Sequence, residues 1–555
     1  MPRVLLHVGG LRWRAEHGRR HLGICLTLTI FEYTLSDSSS QSSASNRISQ
    51  TPRMENNNRR SDLDSGVSKN TKSKKTTGFA GDVLKLVSGT TFAQALGILA
   101  APILSRLFAP EAFGVAALFS SVVAVIAVFA TMRYERAIML PADDADAANL
   151  VGVSLGITLV VSLLTVLLIR WVQYPLLRIL NAPDLAPYLP LTALGVFFAG
   201  SIITFNYWLS RLKRFGRMSV VKVSNSVITT STTITLGSVG YNSGGAMISS
   251  RLVGQAVATG VLGWYVWRND WNLFRRAVSR KSMLANIRRY RKFPLYTTWA
   301  TLLNTASWQL PAFLLSAYFS TEVVGFYSLG FRIVQLPMSL IGRSISQVFF
   351  QRASEANNKG SLTALVDSTF RKLTLFGLFP MLLLSFIGAD LFSVFFGERW
   401  REAGVYLQIL SPWAFVWFIS SPLSVLSSVL EKQEFGLIIN GLIFVTRLIS
   451  LVIGGVMGNA RLALALFSVS GIFVYGYLVI WLMNLVGIHW RHIFKVLLPQ
   501  LLLIIPVGAT MVYLQFVNAN PLLVLGSAVL FGFFYVVGLV VFVPEIQDVI
   551  RLMLR

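Results

Sequence analysis

An all-α integral membrane protein of about fourteen transmembrane helices, built as two six-helix lobes with two helices appended, is the fold class this sequence predicts. Three observations carry that prediction. From Val496 to Pro544 there is no Asp, Glu, Lys or Arg, and only Asn518-Ala519-Asn520-Pro521 interrupts the apolar run. Each half is long enough to cross a bilayer, which takes ~20 helical residues. Charged residues make up 13% of the chain and hydrophobic ones 54%, where a soluble domain is typically about 25% charged. Similar apolar spans recur back to Asp82, and the loops between them are alternately rich and poor in Lys and Arg.

Taken in order, the first lobe (82–267) has spans at 84–106, 113–133, 147–169, 188–210, 218–239 and 245–267. A basic linker, 268–292, leads to the second lobe (293–485), with spans at 293–318, 323–348, 373–395, 403–430, 435–457 and 462–485. Spans at 494–515 and 521–543 complete the chain within 486–555. Boundaries read this way carry an error of a few residues. One set of loops holds Arg133, Arg136, Arg211, Arg214, Arg217, the whole basic linker, Lys359, Arg371, Lys432, Arg491 and Lys495. The opposite set holds only Arg106, Arg170, Arg178, Arg399, Arg401 and Arg461. The positive-inside rule places the cationic face, and both termini, in the cytoplasm. Trp264, Trp267, Trp271, Trp400 and Trp490 fall near expected interfaces, as aromatic anchors do.

Residues 1–81 read differently. Ser36–Ser49 is Ser-rich and Met54–Lys75 is polar and basic, a composition that favours disorder. Leu22–Phe31 is a short apolar stretch behind several Arg, superficially a signal-peptide core. The alternative is that the extension precedes the true start, with Met54 as initiator.

Composition also excludes functions. The single cysteine, Cys25, rules out an intramolecular disulfide and a Cys-based metal cluster. Neither a phosphate-loop motif nor His-Glu-x-x-His occurs, so no ATPase, metal site or cofactor site is expected. His7, His17 and His21 lie in the extension, and His489 and His492 in one short loop, where they read as interfacial residues. The net charge of +25 is read as cytoplasmic loops beside anionic lipid, not as a nucleic-acid surface.

The chain repeats itself. Ala93–Leu118 aligns without gaps on Asn304–Leu329, with identities that include Ser105/Ser316, Phe108/Phe319, Glu111/Glu322 and Gly114/Gly325. Both copies carry Phe-x-x-Glu-x-x-Gly after the first span, and Pro102 and Pro311 sit at nearly matching places within it. Six spans separate the copies, so the two units run in the same direction. Parallel repeats of this kind are common in transporters that bind substrate at the lobe interface and rock to expose it alternately.

Two segments carry a family resemblance: Leu107-Phe108-Ala109-Pro110-Glu111-Ala112-Phe113-Gly114 and Arg133-Tyr134-Glu135-Arg136-Ala137-Ile138-Met139-Leu140-Pro141. With the duplication, the chain from about 80 to 545 resembles the bacterial polysaccharide transporters, the Wzx-type O-antigen and exopolysaccharide flippases. These belong to the multidrug/oligosaccharidyl-lipid/polysaccharide flippase superfamily. The resemblance implies a non-enzymatic inner-membrane protein. It implies that an undecaprenyl-pyrophosphate-linked oligosaccharide moves from the cytoplasmic to the periplasmic leaflet, with no resident cofactor and with H⁺ or Na⁺ as candidate coupling ions. A polysaccharide polymerase and chain-length proteins are the partners it suggests.

A pyrophosphate crossing hydrocarbon needs cations, and arginine suits phosphate through its planar fork of donors. Three arginines lie within spans: Arg332, Arg447 and, nearer the charge-poor face, Arg251. Intramembrane ionised residues normally face an interior cavity, which makes Arg332 and Arg447 the first candidates for phosphate and Arg251 the third. The competing reading is that each snorkels to an interface or caps carbonyls. Thr297, Thr301, Asn304 and Trp308 share one face of the seventh span. That face would either bind sugar, with Trp308 stacking on a ring, or hydrogen-bond between helices. Glu111 and Glu322 are expected to organise loop turns, and Arg133-Glu135-Arg136 to gate or anchor the inner mouth.

Three other functions compete. A cation-coupled multidrug exporter usually needs intramembrane carboxylates, and the spans hold almost none. A lipid II flippase would share a polyprenyl-pyrophosphate cargo. A membrane glycosyltransferase or polymerase needs catalytic carboxylates or large loops, and no loop after residue 82 is long.

Overall fold

A computed structural model describes residues 5–8, 11–14, 79–339 and 343–542. Strands β1 (Leu5–Val8) and β2 (Leu11–Arg14) pair antiparallel, with Leu5 opposite Arg14. The Ser-rich tract, the apolar stretch Leu22–Phe31 and Met54 lie outside the described residues. Asp82–Tyr535 forms one compact unit.

The first lobe comprises α1 (Phe79–Leu99, continued by Ala101–Leu107), α2 (Pro110–Ala127), α3 (Asp144–Leu180), α4 (Thr192–Arg211), α5 (Phe215–Ser238) and α6 (Gly244–Ala277). The basic linker contains a helix, Arg280–Arg289, whose first turn is capped by the Ser279 hydroxyl. The second lobe comprises α7 (Thr298–Tyr318), α8 (Thr321–Val334), α9 (Leu362–Phe396), α10 (Arg401–Leu423), α11 (Gln433–Val456) and α12 (Ala460–Leu485). The appended pair is α13 (Trp490–Phe516) and α14 (Pro521–Phe542). The all-α, two-lobed architecture expected from the sequence is what the chain adopts.

Among the described residues, ten helical stretches are long and apolar enough to cross a membrane. The other four are α5, α6, α7 and α8. The first three are long but less apolar, and α8 has 14 residues. These are the helices that carry Lys222, Arg251, Asn304 and Arg332. A helix that faces lipid along one stripe and protein along the rest does not need to be apolar all round.

Four boundaries differ from the sequence expectation by ten residues or more: α6 runs to Ala277 instead of 267, which makes Arg268, Arg275 and Arg276 helical, and three others shift as follows. Helix α3 runs to Leu180 instead of ending near 169, passing through Pro175 and closing on Asn181 in the left-handed region at φ 48°. Arg170 and Arg178 are therefore helical, not in a loop. Helix α8 stops at Val334, and a separate helix, Arg343–Lys359, follows, where one span to 348 was expected. Pro337 lies between them, and proline removes a backbone donor and clashes with the preceding turn. Helix α9 starts at Leu362, eleven residues before 373.

The appended helices are pinned to α9. Gln515 Nε2 donates to Phe386 O at 2.7 Å and to Asp390 Oδ2 at 2.9 Å, and Arg401 Nη2 reaches Asp390 Oδ1 at 3.5 Å. The Tyr535 ring stacks on Phe379 at 4.2 Å, and its hydroxyl donates to Leu375 O.

The lobes meet in a seam at the charge-poor face, and the duplicated residues build it from both sides. Ser105 of the first lobe donates to Phe396 O of the second at 3.1 Å, and Ser316 of the second donates to Leu180 O of the first. Trp400 Nε1 returns a bond to Ser105 O at 2.9 Å, while its ring meets Phe113 edge-on at 4.8 Å. Asn181 Nδ2 donates to Phe319 O at 3.2 Å. Helices α2 and α8 cross where Gly114 and Gly325 fall: a Cβ on Gly114 would overlap the Thr321 carbonyl, and one on Gly325 the Pro110 carbonyl. Glycine is required on both sides because the two backbones touch.

Candidate functional site

Below the seam, α1, α2, α6, α7 and α8 bring a polar cluster to one level. Ser120 lies ten residues from the start of α2, and Arg332 eleven from the start of α8, so both sit ~15 Å in from the charge-poor end at helical rise. That is near mid-depth of a ~30 Å hydrocarbon core.

Arg251 on α6 donates through Nη1 to Ser120 Oγ at 2.8 Å. Ser121, the next residue, donates across the lobe boundary to Gln309 Oε1 on α7, also at 2.8 Å. Arg332 reaches from α8 toward α1, where its guanidinium fills the space a Cβ on Gly97 would take. Neither arginine pairs with a carboxylate among the described residues, and Arg332 makes no hydrogen bond among them.

Both side chains are exposed. An unneutralised guanidinium within a membrane span is costly unless water or an anion solvates it.

Arg447 is placed differently. It is 4% exposed and caged within the second lobe. Its guanidinium donates to Ser307 Oγ at 3.1 Å and Tyr475 Oη at 3.2 Å, and lies 4.3 Å from the Trp308 ring centroid. The Phe467 ring lies 5.3 Å away. Arg251 reaches from α6 to α2 and Arg332 from α8 to α1, whereas Arg447 is held within the second lobe against Trp308. Trp308 is half-buried, 5.1 Å from Trp417 of α10, which stacks in turn on Trp413 at 5.4 Å. Asn304 is exposed, one turn from Trp308. Thr301 turns its hydroxyl back onto Thr297 O at 2.7 Å.

At the cationic face, Glu135 is fully buried, accepting from Thr131 and from Arg133 Nη1 at 3.3 Å, whereas Arg136 is exposed. Met132 and Arg133 both adopt left-handed backbone, at φ 49° and 63°, so this turn is strained. Tyr134 Oη donates to Ile287 O of the linker helix at 3.1 Å.

Sequence reasoning did not single out Ser120, Ser121, Gln309, Gly97 or Trp417. Each is an ordinary residue for an apolar helix, and only its neighbours in other helices give it a place here.

Two duplicated helical lobes, closed at one face and enclosing polar side chains at mid-depth, define a multi-pass membrane protein of the flippase and multidrug-transporter fold. A lipid II flippase, MurJ, in an inward closed conformation superposes with a TM-score of 0.65 at 14% identity, over 84% of this chain and 100% of that one. An inward-facing multidrug resistance MATE family transporter of the MOP superfamily gives 0.56 at 16% identity, over 71% of this chain and 94% of that one. At these identities the likeness is one of fold. The chain belongs to the polysaccharide biosynthesis protein family, whose model matches residues 103–405, more than half of its length. Among its relatives is a Klebsiella pneumoniae protein, "Uncharacterized membrane protein in cps region", 22% identical over 61% of this chain and 68% of that protein. Another is the Bacillus subtilis teichuronic acid biosynthesis protein TuaB, 20% identical over 37% of this chain; the match spans 42% of TuaB.

Proposed function

We propose that this protein is a flippase for a polyprenyl-pyrophosphate-linked oligosaccharide. It carries the glycan head from the cytoplasmic to the periplasmic leaflet of a bacterial inner membrane by alternating access, with both termini cytoplasmic. The observation that carries this reading is two arginines within the spans, Arg251 on the first lobe and Arg332 on the second, neither of them with a carboxylate partner among the described residues. A pyrophosphate supplies the missing negative charge, and a guanidinium fork from each lobe grips it from two sides. Binding then draws the lobes together, which couples occupancy to rocking. Asn304, Trp308 and Trp417 extend from that level along the second lobe, where a sugar chain attached to the pyrophosphate would lie. The lipid tail stays in the bilayer.

An exporter of cationic drugs fits the charges poorly. Two carboxylates within the helices are already engaged, Asp270 by Arg214 at 2.8 Å and Asp390 by Gln515 and Arg401. The family membership and the relatives in polysaccharide biosynthesis favour a glycan carrier.

The test is complementation of surface glycan in a host lacking its own flippase. Arg332→Ala or Arg251→Ala is expected to abolish surface glycan while the protein still reaches the membrane. Unchanged glycan with both variants would overturn the reading.

A further inference from the structure

The outer side of the first lobe carries a feature that flipping does not use. Helix α6 has 34 residues and is roughly 50 Å long, against a hydrocarbon core of ~30 Å. Its last turns therefore stand beyond the core at the cationic face. Charged residues would be expected on the outward side of such an overhang. Arg268, Arg275 and Arg276 are indeed exposed on it, but alongside them Trp264, Trp267, Trp271 and Phe274 form one stripe at helical spacing. The three tryptophans are 58%, 59% and 40% exposed, so nothing in the described chain covers them.

The stripe is one wall of a groove whose other wall is Val151 and Leu155 of α3. A cavity of about 470 Å³ continues into a second of about 350 Å³, and the two share Val151, Leu155, Trp271 and Phe274. Trp267 and Trp271 stack at 3.9 Å, which makes the wall flat and rigid. Arginines rim it. Arg275 lines the second cavity, and the Arg268 guanidinium lies 5.3 Å from the Trp264 ring centroid. Neither forms an ion pair among the described residues, and the nearby Asp270 is taken by Arg214.

We propose that this groove is a binding site for an anionic glycerophospholipid of the cationic-face leaflet. An acyl chain lies along the tryptophan stripe and the phosphate meets Arg268 and Arg275. The occupant must be apolar along its length and negative at its head. Charge argues against the two other covers the molecule could supply. Residues 15–78 of this chain are themselves rich in Lys and Arg, and a second copy would bring a second arginine rim. The groove also abuts the linker: Gly152 of α3, on its wall, faces Val278 and Met283. A lipid seated here would brace the first lobe against the segment that joins it to the second.

The experiment uses the full-length protein in bilayers and reads tryptophan quenching by lipids with dibrominated acyl chains. Dibrominated phosphatidylglycerol is expected to quench more than dibrominated phosphatidylcholine at equal mole fraction. Trp264→Leu/Trp267→Leu/Trp271→Leu should remove the excess. Arg268→Gln and Arg275→Gln should each weaken the phosphatidylglycerol preference about fivefold, as expected for one cation at a membrane surface, with quenching by phosphatidylcholine retained. Equal quenching by both lipids, or a preference that survives both arginine substitutions, would overturn the proposal. So would a stripe shielded from both lipids, whether by dimerisation or by a shield that disappears when residues 1–53 are removed.

Discussion

The guanidinium of Arg332, on the second lobe, rests against the bare backbone of Gly97 on the first. No side chain at 97 is compatible with that position. A cation of one lobe is thus seated in a notch of the other.

Substitution at the notch should therefore act through Arg332. Gly97→Ala places a methyl group where Nη2 lies, and the flexible arginine must withdraw. Loss of one charge-assisted hydrogen bond to phosphate costs ~1.5–3 kcal/mol, so affinity for a polyprenyl pyrophosphate should fall roughly 10- to 100-fold. Lipid binding to purified protein measures it, and unchanged affinity would separate Gly97 from the site.

Arg251 and Arg332 should differ from Arg447 in what their loss does. Arg332→Gln is expected to weaken pyrophosphate binding and leave thermal stability near the parent, because the side chain makes no hydrogen bond or ion pair among the described residues. Arg447→Met should lower thermal stability by roughly 3 kcal/mol, since buried charged hydrogen bonds to Ser307 and Tyr475 disappear. Thermal unfolding beside ligand binding distinguishes the two.

Arginine's geometry should matter at the chamber. Lysine keeps the charge but cannot form a fork. Arg332→Lys is expected to retain part of the binding and most of its salt dependence, and Arg332→Ala to lose both. Equal behaviour of the two variants in a salt titration would argue against phosphate at this residue.

The seam sets which face is closed. Ser105→Ala/Ser316→Ala removes two hydrogen bonds worth ~0.5–1.5 kcal/mol each and should shift the population toward opening at the charge-poor face. Gly114→Ala or Gly325→Ala should do so more strongly, because backbone cannot yield. With Cys25 replaced, a cysteine placed near Ser120 and probed with an impermeant thiol reagent from the charge-poor side reads the shift as faster labelling.

Much of the fold was legible in the residues. Spans, their direction and the duplication follow from local apolarity, loop charge and the Phe-x-x-Glu-x-x-Gly echo. Helix ends were less legible: α3 overran by eleven residues because a proline inside a lipid-supported helix does not end it, while Pro337 marks a break. The site was legible only as a set of suspects. Arg251, Arg332 and Arg447 look alike in sequence, each a cation in an apolar span, and nothing local tells a chamber wall from an aromatic cage.

Residence in a membrane, the parallel repeat and the cationic face were therefore determined by the sequence alone, because transfer of each segment into lipid is nearly a sum over its own residues. The tertiary structure decided that Ser105, Ser316, Gly114 and Gly325 meet in one seam, that Arg332 faces Gly97, and that Arg447 is spoken for by Trp308, Ser307 and Tyr475. Those outcomes depend on which helices pack together, and packing is settled by partners hundreds of residues away.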